Sequence, residues 1–286
     1  MTDPFKIDGP TCINFSGGRT SAYMLWRVLK ANDGFGRGQE GRHIVFANTG
    51  KEHPATYDFV RECARRWGVH IAWVEYRPDE PGFADVGPVH YSKNGEPFEA
   101  LILKRNYLPN PVTRFCTAEL KIICVEKYLR ATYGLQEWDS MVGIRADEPR
   151  RVAKIRKDPS GGRRGVERIM PLAEAGIGLN DVLAFWKTAG FDLALPTVNG
   201  KAMHGNCDLC FLKPPAQRLS LIREEPERAT WWIKQEATIQ SSGAGIADGA
   251  RFTKDGPSYA QMLAFSQDQA EMFDPNEEPI ACFCGD

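Results

Sequence analysis

Two short stretches hold residue types whose spacing could do chemistry. The first is Ser16-Gly17-Gly18-Arg19-Thr20-Ser21. Paired glycines let a backbone approach a ligand closely, and the N–H groups at the start of a following helix face an anion. Ser16, Thr20 and Ser21 add hydroxyl donors, and Arg19 adds a fixed positive charge. The chemistry served would be the holding of phosphate; the plainer alternative is a strand-to-helix turn with a serine cap. The second stretch is Cys207-Asp208-Leu209-Cys210, a C-x-x-C flanked by small and polar residues, which suits two thiolates converging on one metal. Two thiolates do not close a metal site, so further ligands are needed. Nothing before Cys207 reads as the thioredoxin-like strand that usually precedes a redox dithiol.

Elements that would position these residues follow from periodicity. An apolar run at 11–15 reads as a short buried strand, two glycines break it, and 20–30 carries apolar residues at helical spacing. A second run at 43–47 leads into Asn48-Thr49-Gly50 and a helix over 54–67 with proline at its start. Strands are expected at 69–75 and 138–143, and helices at 98–103, 117–133, 179–188, 215–224, 227–239 and 258–269. Residues 77–111, rich in proline and glycine, read as an insertion over the sheet edge or the site. Alternating strands and helices of these lengths give right-handed crossovers and a parallel sheet, with the ligand site off the strands' C-terminal ends. The expected fold is α/β, a doubly wound parallel sheet of about five strands in residues 1–170. A mostly helical region, 171–286, carries the C-x-x-C and the terminal cysteines and packs on the first.

Composition narrows the function classes. A chain of 286 residues with 42% hydrophobic content has enough apolar material for a substantial core. Net charge of −1 provides no global field for polyanions. Charge is uneven, however: 145–168 holds nine Lys/Arg against four Asp/Glu and reads as a solvated loop able to touch a polyanion locally, while 224–286 is acidic. No apolar run reaches membrane-spanning length and the N-terminus lacks a signal peptide's apolar core, so the expectation is a cytoplasmic protein with no membrane partner. Eight cysteines in that compartment favour metal or redox use over disulfides. Cys12, Cys63 and Cys124 fall on strand or helix faces and read as small packing residues.

The order Ser-Gly-Gly-x-x-Ser resembles the pyrophosphate loop of the PP-loop ATP pyrophosphatase superfamily, with Arg19 and Thr20 where lysine and aspartate are usual. Asn48-Thr49-Gly50, Arg114-Phe115-Cys116-Thr117-Ala118-Glu119-Leu120-Lys121 and Gly143-x-Arg145-x-x-Glu148-x-x-Arg151 then follow in the order of that superfamily's phosphoadenosine phosphosulfate (PAPS) reductase-like branch. The resemblance implies an adenine nucleotide alpha hydrolase-like fold and an ATP, with Mg2+, lying across the sheet's C-terminal edge. It implies Ser16, Gly17, Gly18, Arg19, Thr20 and Ser21 at the phosphates, Asn48, Thr49, Gly50 and Gly143 along the nucleotide, and Arg19, Lys121, Arg145 and Arg151 as catalytic cations. For Arg145 and Arg151 a salt bridge to Asp147 or Glu148 is the plainer reading. The related iron–sulfur reductases use a cysteine at the station of Cys116 together with a later C-x-x-C. This makes Cys116 the third ligand beside Cys207 and Cys210, with Cys284 or Cys282 as the fourth.

Four thiolates suit a [4Fe–4S] cluster or zinc; their wide spacing is unlike a compact zinc ribbon and favours iron–sulfur. The leading reading is an enzyme that cleaves ATP to AMP and pyrophosphate, adenylating a substrate for sulfur incorporation. The alternatives are a sulfonucleotide reductase and a non-enzymatic nucleotide- or nucleic-acid-binding protein with structural zinc. The paired glycines favour ATP, because the reductases generally lack them. The acceptor would be a small molecule or a nucleic acid, and a sulfur-donor protein and a homodimer are compatible with this reading.

Overall fold

The computed structural model describes residues 3–32, 34, 41–198, 201–239 and 250–268. Cys282 and Cys284 lie outside them. Strands β1 (Thr11–Asn14), β2 (Arg42–Asn48) and β3 (Ala72–Tyr76) are joined by helices α1 (Arg19–Ala31) and α2 (Pro54–Trp67). Then come β4 (Phe83–Asp85), α3 (Glu96–Arg105), α4 (Phe115–Thr117), a π-helical turn over Ala118–Ile123, and α5 (Cys124–Tyr133). Strand β5 (Trp138–Met141), α6 (Pro149–Lys157), β6 (Val166–Ile169), α7 (Pro171–Glu174) and α8 (Leu179–Trp186) follow. A two-residue hairpin pair, β7 (Thr197–Val198) and β8 (Lys201–Ala202), precedes α9 (Pro215–Glu224), α10 (Ala229–Thr238) and α11 (Tyr259–Asp268).

The main sheet has six strands in the order β4-β3-β2-β1-β5-β6, parallel throughout except for β4, which runs antiparallel to β3. Chain direction across the sheet reverses between β1 and β5. A doubly wound sheet leaves its ligand crevice at such a point, outside the carboxyl ends of the strands. Both faces of the sheet are buried, as parallel sheets require. Ile13, Phe46 and Trp73 point into one apolar cluster with α1, α2 and α8, while Cys12, Val45 and Val74 point into another with α3, α5, α9, α10 and α11.

Two sequence expectations need correction, on the basic stretch and on one helix. The basic stretch 145–168 is not a loop: it folds into α6 and β6, because Val152 and Ile155 find a small core with Ile144 and Met170 and Val166 is buried behind β5. The sheet thus has six strands, and the sixth, β4, comes from the 77–111 insertion, which does cover the sheet edge. The helix expected over 117–133 begins at Phe115 and contains the π turn. Residues beyond 170 divide between both faces, α7 and α8 joining the α1 cluster and α9 to α11 the other.

Candidate functional site

Loop 16–21 leaves β1 at the point of reversal. Gly17 takes φ +79°, and a Cβ there would come within 2.6 Å of Thr56 Cγ2 on α2. Only glycine lets the turn lie this close to its neighbour. Ser21 closes the loop: its Oγ accepts from the Ser16 N–H (3.2 Å), lies 2.9 Å from Ser16 Oγ, and donates to the Gly18 carbonyl (3.0 Å). Gly18 is the N-cap of α1, so no side chain caps this end, and the first turn carries no carboxylate. The positive end of the helix dipole is left for an anion. Gly143, after β5, permits the closest approach to this turn, since a Cβ would stand 3.1 Å from Ser21 Cα.

A cavity of about 130 Å3 opens beside the loop, between the sheet and α5. Ser16, Ser21, Lys121 and Gly143 all line it, as do the apolar Cys12, Val45 and Trp138. The π turn that holds Lys121 is a distortion often met at functional sites. Arg145 is not among the residues that line the cavity; it reaches the first turn of α1, donating from Nη1 to the buried Thr20 Oγ1 (3.2 Å), and donates from Nε to Asp147 (2.9 Å). Glu148 organises this station by accepting from the Arg145 N–H (2.9 Å) and from Arg151 Nη1. The salt-bridge reading of both arginines is therefore observed, although Arg151 Nε and Nη2 are buried with no hydrogen-bond partner among the described residues. The cavity also holds Asn14, Ser140, Arg163 and Arg168, which sequence reasoning missed. The last two lie on and before β6, whose four-residue alternation was hidden in the charge run.

Two groups of expected residues are placed differently. Arg19 does not turn to the loop: its guanidinium forks onto Asp192 with two 2.7 Å bonds and reaches Thr197 Oγ1 (2.7 Å) and the Leu193 carbonyl (3.1 Å). A planar fork matched to a carboxylate explains that preference. Asn48 and Thr49 do not face the cavity either. Asn48 is fully buried, donating to Glu75 Oε1 and the Ser92 carbonyl, each at 2.7 Å, and accepting from the Gly50 N–H (2.9 Å). Thr49 donates to Glu52 Oε1 (2.8 Å), and its hydroxyl lies 3.5 Å from Cys207 Sγ.

The Asn48–Glu52 segment is thereby stitched to the C-x-x-C. Glu52 pairs with Cys207 in an isolated β-bridge, the Asp208 N–H donates to the Lys51 carbonyl (2.7 Å), and Lys51 Nζ meets Asp208 at 3.0 Å in a buried ion pair. Trp232 Nε1 donates to the same carboxylate (3.0 Å). Cys116, Cys207 and Cys210 all pack on the rim of one apolar cluster, only partly buried. Burial pushes the Cys207 thiol well up and the Glu52 carboxylate pushes the same way, while Lys121 opposes them. Burial likewise drives Cys12 and Cys124 up to about 12, which keeps them neutral thiols suited to packing.

Neighbouring side chains brace the backbone of the C-x-x-C. Lys213 Nζ binds the Gly205 and Cys207 carbonyls, and Tyr259 donates to the Leu209 carbonyl (2.5 Å) between the two cysteines. Arg218 supports that tyrosine and is itself buried, with Nε and Nη1 unpartnered among the described residues. A buried guanidinium with unused donors is costly unless negative charge lies close by. A second ligand-rich group, His53, His204 and Glu225, brings its ligand atoms within 4.8 Å of one another. His53 Nδ1, however, accepts from the Ala55 N–H (3.1 Å) as the cap of α2, so its neutral ring carries the proton on Nε2, 3.6 Å from Glu225. A metal on Nε2 would require that cap to break, and Arg228 already holds Glu225 at 2.6 Å. Burial lowers both histidines, so they are held neutral.

A family model described as the phosphoadenosine phosphosulfate reductase domain matches residues 10–175. The chain is 30% identical over 258 residues to the uncharacterized nin region protein ORF290 of Escherichia phage lambda, covering 84% of this chain and 77% of that protein. Among solved structures it is similar to a PAPS reductase from Candida auris in a phosphate complex, at TM-score 0.40 and 14% identity over 67% of this chain and 82% of the other. It is also similar to the U34-tRNA thiolase NcsA of Methanococcus maripaludis with its [4Fe-4S] cluster, at TM-score 0.42 and 13% identity over 91% and 82%.

Proposed function

Because the chain belongs to the phosphoadenosine phosphosulfate reductase domain family, we propose that it is a PP-loop enzyme that binds ATP and adenylates an acceptor, preparing it for sulfur. The observation that carries this reading is the convergence of Ser16 and Ser21, at the two ends of the paired-glycine loop, with Lys121 and Gly143 on one cavity where the strand order reverses. An acceptor oxygen attacks the α-phosphorus, the α–β anhydride bond breaks, and pyrophosphate leaves. The N–H groups of the first turn and the Ser16 hydroxyl hold the departing pyrophosphate; Lys121 and Arg145 neutralise the charge that develops. Such transfers are catalysed mainly by positioning and charge stabilisation. Mg2+, bound with the nucleotide, would supply further neutralisation of the phosphate charge.

Cys116, Cys207 and Cys210, with Cys282 or Cys284 as the fourth thiolate, would hold a [4Fe–4S] cluster, which would supply a site for sulfur ligation. The test compares calorimetric titration of a non-hydrolysable ATP analogue and of PAPS, with iron and sulfide measured on anaerobically purified protein. The expected outcome is ATP-analogue binding that Lys121→Ala weakens by about tenfold, the effect of losing one charge-assisted contact. Binding of PAPS with no binding of the ATP analogue would replace this reading with the reductase one.

A further inference from the structure

The chain's densest run of positive charge stands against the cavity. Helix α6 carries Arg150, Arg151, Lys154, Arg156 and Lys157 and no carboxylate within its bounds. Its inner face holds Arg151, Val152 and Ile155, while Arg150, Lys154, Arg156 and Lys157 are exposed. The negative C-terminal end of a helix dipole favours Lys154, Arg156 and Lys157, but it does not account for Arg150 in the first turn, where the dipole opposes a cation. Arg150 and Lys154 stand four residues apart and Lys154 and Lys157 three, spacings at which like charges destabilise an isolated helix.

Arg164, after the helix, is exposed as well, and Arg163 and Arg168 line the cavity together with Ile155, Arg163 being paired there with Glu126 (2.6 Å) and Arg168 donating to the Pro159 and Asp158 carbonyls. The carboxylates interspersed after the helix are Asp158, which already accepts from Ser160 and Gly161, and Glu167. Since the whole chain is nearly neutral, this surplus is local.

We propose that the exposed face of α6 is a docking strip for the phosphodiester backbone of a nucleic acid, and that the acceptor entering the cavity is a nucleotide of that polymer. This deepens the adenylation reading by naming its acceptor class, yet docking can be measured without ATP. The nine-residue helix is about 13 Å long, roughly the rise of four phosphates along one strand. Backbone phosphates are what such a strip recognises, and the cavity wall of Ile155, Arg163 and Arg168 brings a neighbouring nucleotide toward Ser16, Ser21 and Lys121. An acidic protein surface is the competing occupant.

Fluorescence anisotropy with labelled RNA hairpins, single-stranded DNA and duplex DNA of about 20 nucleotides, over a salt series and without ATP, tests this. Wild-type protein should bind at least one of them with affinity falling steeply as salt rises. The variant R150E/K154E/R156E/K157E should lose at least tenfold in affinity and show a flatter salt dependence, while K93E/K187E/K254E, which alters exposed cations elsewhere, should bind as wild type. The arm that binds tightest identifies the polymer. An α6 variant within twofold of wild type with an unchanged melting curve, absence of binding in every arm, or competition by polyglutamate equal to that by unlabelled nucleic acid would overturn the assignment. ATP-analogue titration on the same proteins reports separately on the adenylation reading.

Discussion

Thr49 joins two parts of the molecule that no local pattern connects. Its hydroxyl donates to the buried Glu52 carboxylate and stands 3.5 Å from Cys207 Sγ, so one oxygen touches both neighbours. Substituting Thr49→Val keeps the shape but removes the hydroxyl, leaving Glu52 with the Thr49 N–H and the Tyr57 hydroxyl. The cost of a buried group losing a partner is about 1–3 kcal/mol. Urea denaturation should therefore show a lower midpoint for Thr49→Val and a near-native one for Thr49→Ser. Equal midpoints for wild type and the valine variant would remove this role from the hydroxyl.

At the scale of elements, the loop before α1 is set by a single glycine. Gly17 sits at φ +79° against Thr56, whereas Gly18 lies in extended backbone at φ −95°, ψ 162° that any residue adopts. Gly17→Ala meets two obstacles, a left-handed conformation costing roughly 1–2 kcal/mol and an overlap with α2. Gly18→Ala does not meet the first. The expected outcome is a thermal midpoint lowered by several degrees for Gly17→Ala, together with weaker ATP-analogue binding, and a near-native melting curve for Gly18→Ala. If the two variants melt alike, the turn is not constrained in this way.

Over the whole molecule, the C-terminal helices are held to the sheet along a polar seam. Lys51 and Asp208 form its buried ion pair, and His53, His204, Glu225 and Arg228 extend it. Burial is the leading cause that lowers His53 and His204, and Arg228 lowers them further; His43 is lowered by burial too. In the unfolded chain these groups take up protons near the ordinary histidine value of about 6.5, and in the folded chain only at lower pH. The unfolded state thus binds more protons between those two values, so stability is fully present above about 6.5 and declines as pH falls toward the lowered values. Denaturation midpoints should drop from pH 7.5 to 5.5. His53→Asn keeps an oxygen to cap α2 while removing one titrating ring, and should make that drop shallower. A slope unchanged in this variant would show that His53 does not titrate across the folding transition.

Elements whose signals are local were legible in the order of residues alone. Apolar runs bounded by glycine marked β1, β2 and β5, the 3.6-residue period and proline start marked α2 to the residue, and the two glycines marked the turn between β1 and α1. The buried, neutral character of Cys12 and Cys124 was legible for the same reason, since strand and helix faces are periodic. Tertiary structure alone decided what depends on partners far along the chain. Arg19 finds Asp192 rather than the loop beside it, Asn48 finds Glu75, and Thr49 finds Cys207, because crossovers bring those groups together at separations no window spans. Strand β6 and helix α6 were masked by charge: each is short, and each is stabilised by burying one face against β5 or a four-residue core, not by its own propensity. The cavity wall formed by Arg163 and Arg168 exists only once those two elements have packed.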